Sequence, residues 1–467
     1  MQVTKIHDGQ ALGVLIIMLY NGAMKKKGDK MDLFIAFIIF TAAMVVSLLA
    51  ETTMIFALLA GYACFVAVAL RRGNKPAVIL SLTNKGIKDS LIVVLVLFLI
   101  GVLTASWRAG GTIMFFVYYG MKVITPDLFL IITFLLTCLL SYAIGTSFGV
   151  AGTLGVIFMA LARSGSVNEI LTAGVIMSGI YFGDRCSPAS SSMILTAAVT
   201  HTDARENMYK LLKTAWIPTG ICVFVYTILS LRNPINNVDA VMFERIEKDF
   251  SISLWLAVPA LLMLILPLLK VDVKVAMGLS ILSSGVACIL LQGISIPEFL
   301  RICIMGYSAT NSTFGSMLSG GGLVSMLEIC GIVTISCTYS DIFEGTGMIR
   351  ELQSRLEEMM LKVGRFPVTA LAGLLFCAIF CNQTIATTMS ASILNKPYEN
   401  QGGTAQELAI DIGNSTIVLS GLVPWAIAST VPLSFMGVGP EALPYAIFLY
   451  AVPICYLFTK KRTTFYS

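Results

Sequence analysis

Long apolar runs with little or no charge recur along the chain, at about 33–50, 54–70, 91–105, 128–144, 170–183, 214–231, 252–269, 275–297, 302–327, 366–395, 412–440 and 442–459. They are continuous in Leu, Ile, Ala and Gly rather than alternating over ten or so residues, which predicts helices and argues against a transmembrane barrel. A spanning helix takes about 20 mainly apolar residues. The pattern therefore predicts an all-α polytopic membrane protein with roughly 10 to 13 membrane passes. The run from Ala11 to Tyr20 is short for a span and reads as an interfacial segment or a frayed first helix.

Several runs are interrupted by small and polar residues: GTSFGVAGT at 145–153, SPASSS at 187–192, CNQT at 381–384 and GNSTIVLSGLVP at 413–424. Irregular backbone at membrane depth is tolerated only where protein buries it or a wet cavity runs beside it. Some of these interruptions repeat at half the chain length. Gly111-Thr112 precedes Gly345-Thr346 by 234 residues, and both Thr146-Ser147 with Asn382-Gln383 and Pro188 with Pro424 are 236 apart. Matching breaks in two halves are the sequence sign of a transporter built from inverted repeats, which predicts repeats at 1–250 and 251–467 within one transporter domain. The charged stretch from Arg350 to Arg365 reads as a surface helix.

A charge at a helix centre costs about 2.5 to 3.5 kcal/mol on insertion scales, so each one inside an apolar run needs a reason. Glu51, Arg108 and Asp127 lie at run edges, where snorkelling explains them. Asp184 and Arg185 stand in IYFGDRCSPASSS, before Pro188 and a row of hydroxyls. Proline frees carbonyls, and Ser187, Ser190, Ser191 and Ser192 add oxygens, the donor type that hard cations take. A kinked helix stapled by hydroxyls is the structural alternative. Thr146, Ser147, Asn382, Gln383, Asn414, Ser415 and Thr416 complete the candidate ion- or substrate-binding set, with Asn311-Ser312-Thr313 a further polar break. Sodium is expected at Asp184, Ser187, Asn414 and Thr416. Asp341 and Glu344 share one helix face and, with Asp184, are candidates for proton coupling. Glu328 and Asp411 are further acids inside apolar runs.

Composition narrows the class. Of 467 residues, 57% are hydrophobic and 12% charged, against roughly 25% charged in a soluble domain, which excludes a water-soluble fold. The formal charge of +5 comes mostly from loop lysines and arginines. Clusters at Lys25–Lys27, Arg71–Arg72 and Lys460–Arg462 fit cytoplasmic loops, and no nucleic-acid partner is implied. Eleven cysteines are scattered without a CxxC pair and read as small core residues. The first residues lack a signal-peptide pattern. GTSFG matches the hydrolase GxSxG pattern but sits in a membrane run, and the two histidines make no metal motif, so neither enzyme chemistry nor a cofactor is expected. A channel would more usually form its pore from an oligomeric ring than from paired broken helices.

The motifs GVLTASWRAGGT (101–112), YYG (118–120), AIGTSFGVAGTLGVIFMALA (143–162), YFGDRCSP (181–188), GGGLVSML (320–327), DIFEGTG (341–347) and LSGLVPWAIA (419–428) resemble the NhaC family of sodium/proton antiporters. The resemblance implies two repeats with broken helices and re-entrant hairpins, a homodimer, and exchange of sodium for protons or organic acids across a prokaryotic-type inner membrane by alternating access. The family's Gly-Asp-Lys-x-Ser-Pro pattern falls on Gly183, Asp184, Arg185, Ser187 and Pro188, and its Glu before Thr-Gly on Glu344. The chain departs from it at Ser191, where the family usually carries Asp, and at Gly413 and Asn414, where it carries an acidic pair. With fewer carboxylates, a second function stays open: sodium-coupled transport or exchange of an organic anion or amino acid, with Arg185 holding the carboxylate.

Overall fold

The protein is described by a computed structural model covering residues 32–50, 52–123, 126–187, 190–234, 250–269, 271–308, 319–346 and 349–463. The Ala11–Tyr20 segment, Lys25–Lys27, Glu51, Pro188 and Asn311–Thr313 lie outside these residues. The helices in chain order are α1 (Asp32–Leu49), α2 (Met54–Arg71), α3 (Pro76–Ala109), α4 (Thr112–Val123), α5 (Phe129–Ile144) and α6 (Ser147–Ser164). Next come α7 (Glu169–Cys186), α8 (Ser191–Thr200), α9 (Ala204–Arg232), α10 (Val258–Leu268), α11 (Val273–Leu290) and α12 (Ile296–Met305). The chain continues with α13 (Leu327–Gly345), α14 (Ile349–Val363), α15 (Arg365–Phe380) and α16 (Gln383–Asn400). It ends with α17 (Ala405–Asn414), α18 (Thr416–Ser420), α19 (Ile427–Met436) and α20 (Ile447–Thr463). Among the described residues the only β feature is an isolated bridge between Tyr307 and Gly320.

This is a helical membrane protein. By length and composition, four helices among the described residues can cross a membrane: Met54–Arg71, Ser147–Ser164, Ala204–Arg232 and Val324–Phe343. A fifth span arises if α3 and α4, bent by 62° at Gly110-Gly111, act as one. Seven further apolar helices are shorter, of 10–17 residues. Two of them, Phe129–Ile144 and Arg365–Phe380, end at breaks where the next helix opens on a side-chain cap from Thr146 or Asn382. Large apolar side chains such as Trp216, Phe224, Leu282 and Leu290 face outward, as lipid rather than water requires.

Breaks recur at constant spacing. Helix α5 ends on Gly145 in the left-handed conformation, and Thr146 then caps α6. Helix α15 ends on left-handed Cys381, and Asn382 caps α16, each 236 residues later. The same offset relates the starts of α7 and α17, the starts of α8 and α19, and their left-handed C-caps, His201 and Gly437. Contacts across the halves are reciprocal: α8 packs on α16, and α19 packs on α6. The ends of α15 and α16 are tied together by Arg365 Nη1, which donates to the Gln401 carbonyl at 2.9 Å.

Close approach of α5 and α7 sets the position of Asp184. A Cβ on Gly179 would stand 1.9 Å from Thr137 Oγ1, and one on Gly183 would stand 2.0 Å from the Ser141 carbonyl carbon. The Gly-x-x-x-Gly spacing thus lets backbones touch, the usual device for helix association where lipid removes the hydrophobic drive. Ser141 adds a hydroxyl bond to the Ile180 carbonyl. The Gly183→Ala substitution is expected to force α7 off α5 and to cost about 1–3 kcal/mol or more, read as a lower melting temperature of the detergent-purified protein and a reduced yield of monodisperse material.

Candidate functional site

Helices α6, α8 and α16 begin around one small cavity. Thr146 Oγ1 accepts from Gly149 N–H at 3.4 Å, Ser190 Oγ from Met193 N–H at 3.2 Å, and Asn382 Oδ1 from Thr384 N–H at 2.9 Å. Each N-terminus brings the positive end of a helix dipole toward the cavity. The cavity measures about 130 Å³, and its polar lining comprises Thr146, Ser147, Asp184, Ser191, Ser192, Asn382, Gln383 and Thr384.

Asp184, buried on the last turn of α7, is the only ionisable side chain in that lining. Gln383 Nε2 donates to its Oδ2 at 2.7 Å and to Ser192 Oγ at 2.9 Å. Ser192 Oγ lies 3.2 and 3.3 Å from the two carboxylate oxygens. Ser420 Oγ donates to Gln383 Oε1 at 3.0 Å, which orients the amide with its N–H groups toward Asp184. Among the described residues four acids are buried: Asp32, Asp184, Asp341 and Asp411. Asp32 pairs with Arg72 at 2.5 Å, Asp341 with Lys85 at 2.6 Å and Asp411 with Lys460 at 2.5 Å. Asp184 alone among them has neutral partners only. One carboxylate with hydroxyl oxygens around one small space is the donor type that hard cations take.

The model of the Na+/H+ antiporter family matches residues 14–232 and, a second time, 179–460. The chain belongs to this antiporter family. It is 26% identical over 348 residues to the malate-2H(+)/Na(+)-lactate antiporter of Bacillus subtilis, covering 73% of this chain and 74% of that protein. Over 375 residues it is 23% identical to the Na(+)/H(+) antiporter NhaC of Alkalihalophilus pseudofirmus, 79% of this chain and 81% of the relative. The arginine/ornithine antiporter ArcD of Halobacterium salinarum is 27% identical over 380 residues, 77% of each chain. The protein is an NhaC-type secondary transporter and not an enzyme, and sodium is the ion its family moves.

In the antiporter, the residues expected from sequence separate into groups. Thr146, Ser147, Asp184, Ser191, Asn382 and Gln383 share the cavity. Ser187 and Ser190 serve the backbone instead, donating to the carbonyls of Tyr142 and Asp184. Arg185 turns to the other side of α7, where Nη1 donates to Asn414 Oδ1 at 2.8 Å, Nη2 donates to the Leu211 carbonyl, and the Phe448 ring lies 5.7 Å away. Ser415 Oγ bonds the Asp411 carbonyl at 2.6 Å, and Thr416 Oγ1 meets Ser390 Oγ at 3.3 Å. None of Asn414, Ser415 and Thr416 lines the cavity. Asp341 lies on α13 in its ion pair with Lys85. Glu344 follows on that helix, its side chain outside the described residues.

Sequence reasoning left two features without a role. Ser420 belongs to the cavity's hydrogen-bond network, reached from α18. A second ionic group joins α15, α16, α17 and α20. Lys460 bridges Glu407 at 2.9 Å and Asp411, Arg365 holds Glu407 at 2.9 Å, and the hydroxyls of Tyr398 and Tyr456 reach Asp411 at 2.6 and 3.0 Å. Asp411 in the middle of an apolar run was the available signal. Lys460→Met strands Asp411 and is expected to destabilise the antiporter by about 3–5 kcal/mol, measured by thermal unfolding in detergent. The double substitution Lys460→Met/Asp411→Leu should recover much of that loss.

Proposed function

We propose that the protein exchanges sodium for protons, with Asp184 as the group that carries either ion. The observation that carries this reading is the unpaired state of Asp184: a buried carboxylate without a basic partner is costly unless a cation or a proton joins it. Asp184, Ser192, Thr146 and Gln383 would supply oxygens to sodium, with Ser147, Ser191 and Asn382 beside them. The Gln383 amide, now donating through Nε2, would turn its Oε1 to the bound ion. Asp341, paired with Lys85 on another helix, and Glu344 are then second-rank candidates for proton coupling.

The constant 236-residue offset of caps and breaks supports two repeats, within 1–250 and 251–467. The reciprocal packing of α8 on α16 and of α19 on α6 supports an inverted relation between them. In this reading α5–α6 and α15–α16 are re-entrant hairpins whose tips, Gly145 and Cys381, meet near the midplane, so that α6 does not itself span although its length and composition would allow it. The two repeats, with roughly 10 to 13 passes in all, rock about the site in alternating access. Assembly as a homodimer in a prokaryotic inner membrane is part of this proposal, and the family resemblance is what supports it.

Organic-anion or amino-acid exchange is the second reading, favoured by the names of the Bacillus subtilis and Halobacterium salinarum relatives. Against it, Arg185 faces away from the cavity and leaves Asp184 as the charged side chain in its lining, which favours a cation over an anion there. Purified protein in liposomes carrying a pH-sensitive dye should move protons when sodium alone is added. Asp184→Asn should reduce that flux at least about tenfold, a loss of roughly 1.4 kcal/mol or more, with an unchanged melting temperature. Flux in the variant equal to that of the parent removes Asp184 from the mechanism, and flux that awaits an added carboxylate or amino acid selects the second reading.

A further inference from the structure

A second, wider cavity of about 880 Å³ lies between α1–α2, the start of α13, and α19 with the turn that follows it. Its walls are mainly apolar, with two acids, Glu328 and Glu441, and the hydroxyls of Thr52, Thr430 and Ser434. Among the described residues lining it there is no lysine, arginine or histidine. A space with low-dielectric walls and carboxylates of one sign concentrates cations and repels anions.

The two cavities share one wall. Pro424 and Thr430 line the wide cavity, whereas Ile427 and Ala428, between them in sequence, line the Asp184 cavity. Three hydrogen bonds hold this wall: Trp425 Nε1 to the Ala378 carbonyl, Ile427 N–H to the Cys381 carbonyl and Tyr181 Oη to the Ala428 carbonyl, each at 2.7 Å. The segment is thus anchored to α15, to the Cys381 turn and to α7, the same elements that carry Asn382 and Asp184.

The cavities also differ in the side they serve. Thr52 lies just before α2, and Arg71 and Arg72 stand at its far end, so the positive-inside bias puts the wide cavity on the outer side. From the Asp184 cavity, α8 leads instead from Ser191 to the start of α9, which carries Arg205, Lys210 and Lys213. By the same bias that end is cytoplasmic.

We propose that the wide cavity is a cation vestibule through which sodium approaches Asp184 from the outer side, with the Pro424–Thr430 segment as the partition between vestibule and site. The inference rests on the sodium/proton reading above and adds to it a route, an electrostatic filter and a barrier.

The test uses Ser434→Cys and Thr430→Cys in right-side-out vesicles, with the parent protein as background. The probes are impermeant methanethiosulfonates, one cationic and one anionic, each scaled to its rate with a small free thiol. The expected result is reaction from outside, with the cationic reagent favoured several-fold and the preference lost in Glu328→Gln/Glu441→Gln. That double substitution should also raise the external sodium concentration for half-maximal flux several-fold, with little change in maximal rate. Equal scaled rates for the two reagents, or no reaction from outside, would overturn the vestibule. Labelling does not require transport, so absence of sodium-driven proton flux in the parent protein overturns the proposed exchange separately.

Discussion

One buried carboxylate without a counter-charge is the constraint around which this bundle is arranged. Moving a carboxylate out of water is expensive, and neutral hydrogen bonds offset only part of the penalty. The Gln383 amide, the Ser192 hydroxyl and three helix N-termini oriented toward the cavity supply what the protein can offer without a base. The other three buried acids among the described residues are each held by an arginine or lysine. An Asp184 locked to such a base would have its charge balanced within the fold, whereas neutral donors leave it without a fixed counter-charge.

Broken helices are what bring those donors together. A continuous helix spends its N–H groups on its own ladder, while a break at membrane depth releases several of them at a fixed point. Gly145 and Cys381 terminate two helices in the left-handed conformation, and Thr146 and Asn382 restart the chain with side-chain caps. The Gly179 and Gly183 contacts then hold α7 against α5 at backbone distance, leaving Asp184 little freedom to retreat from the cavity. Precision at the site thus derives from packing of small residues rather than from any strong single bond.

Asp184 and Arg185 illustrate how adjacency in sequence misleads. Consecutive residues of an α-helix point about 100° apart and do not face each other. The carboxylate enters the cavity, while the guanidinium finds Asn414, the Leu211 carbonyl and the Phe448 ring. Arg185 consequently joins α7 to α9 and α17 and leaves the cavity free of fixed positive charge. Lys460, from the final helix, takes a comparable binding role in the Glu407–Asp411 group.

The amino-acid sequence by itself determined that the solvent is lipid, that the elements are helices, where they break, and which buried carboxylate has hydroxyls beside it. These are local properties: apolar run length, capping residues, proline and glycine, and the cost of a charge in an apolar run. The half-chain offset and the family motifs were legible for the same reason. Tertiary structure alone decided which breaks share a cavity. Gln383 reaches Asp184 across 199 positions of sequence, whereas Asn414, Ser415 and Thr416, equally polar and equally placed at a break, turn to other partners. It also decided that Asp341 and Asp411 are paired and Asp184 is not. Such choices depend on which helix faces come together and on which base a neighbouring helix presents, and neither the period nor the composition of a single segment carries that information.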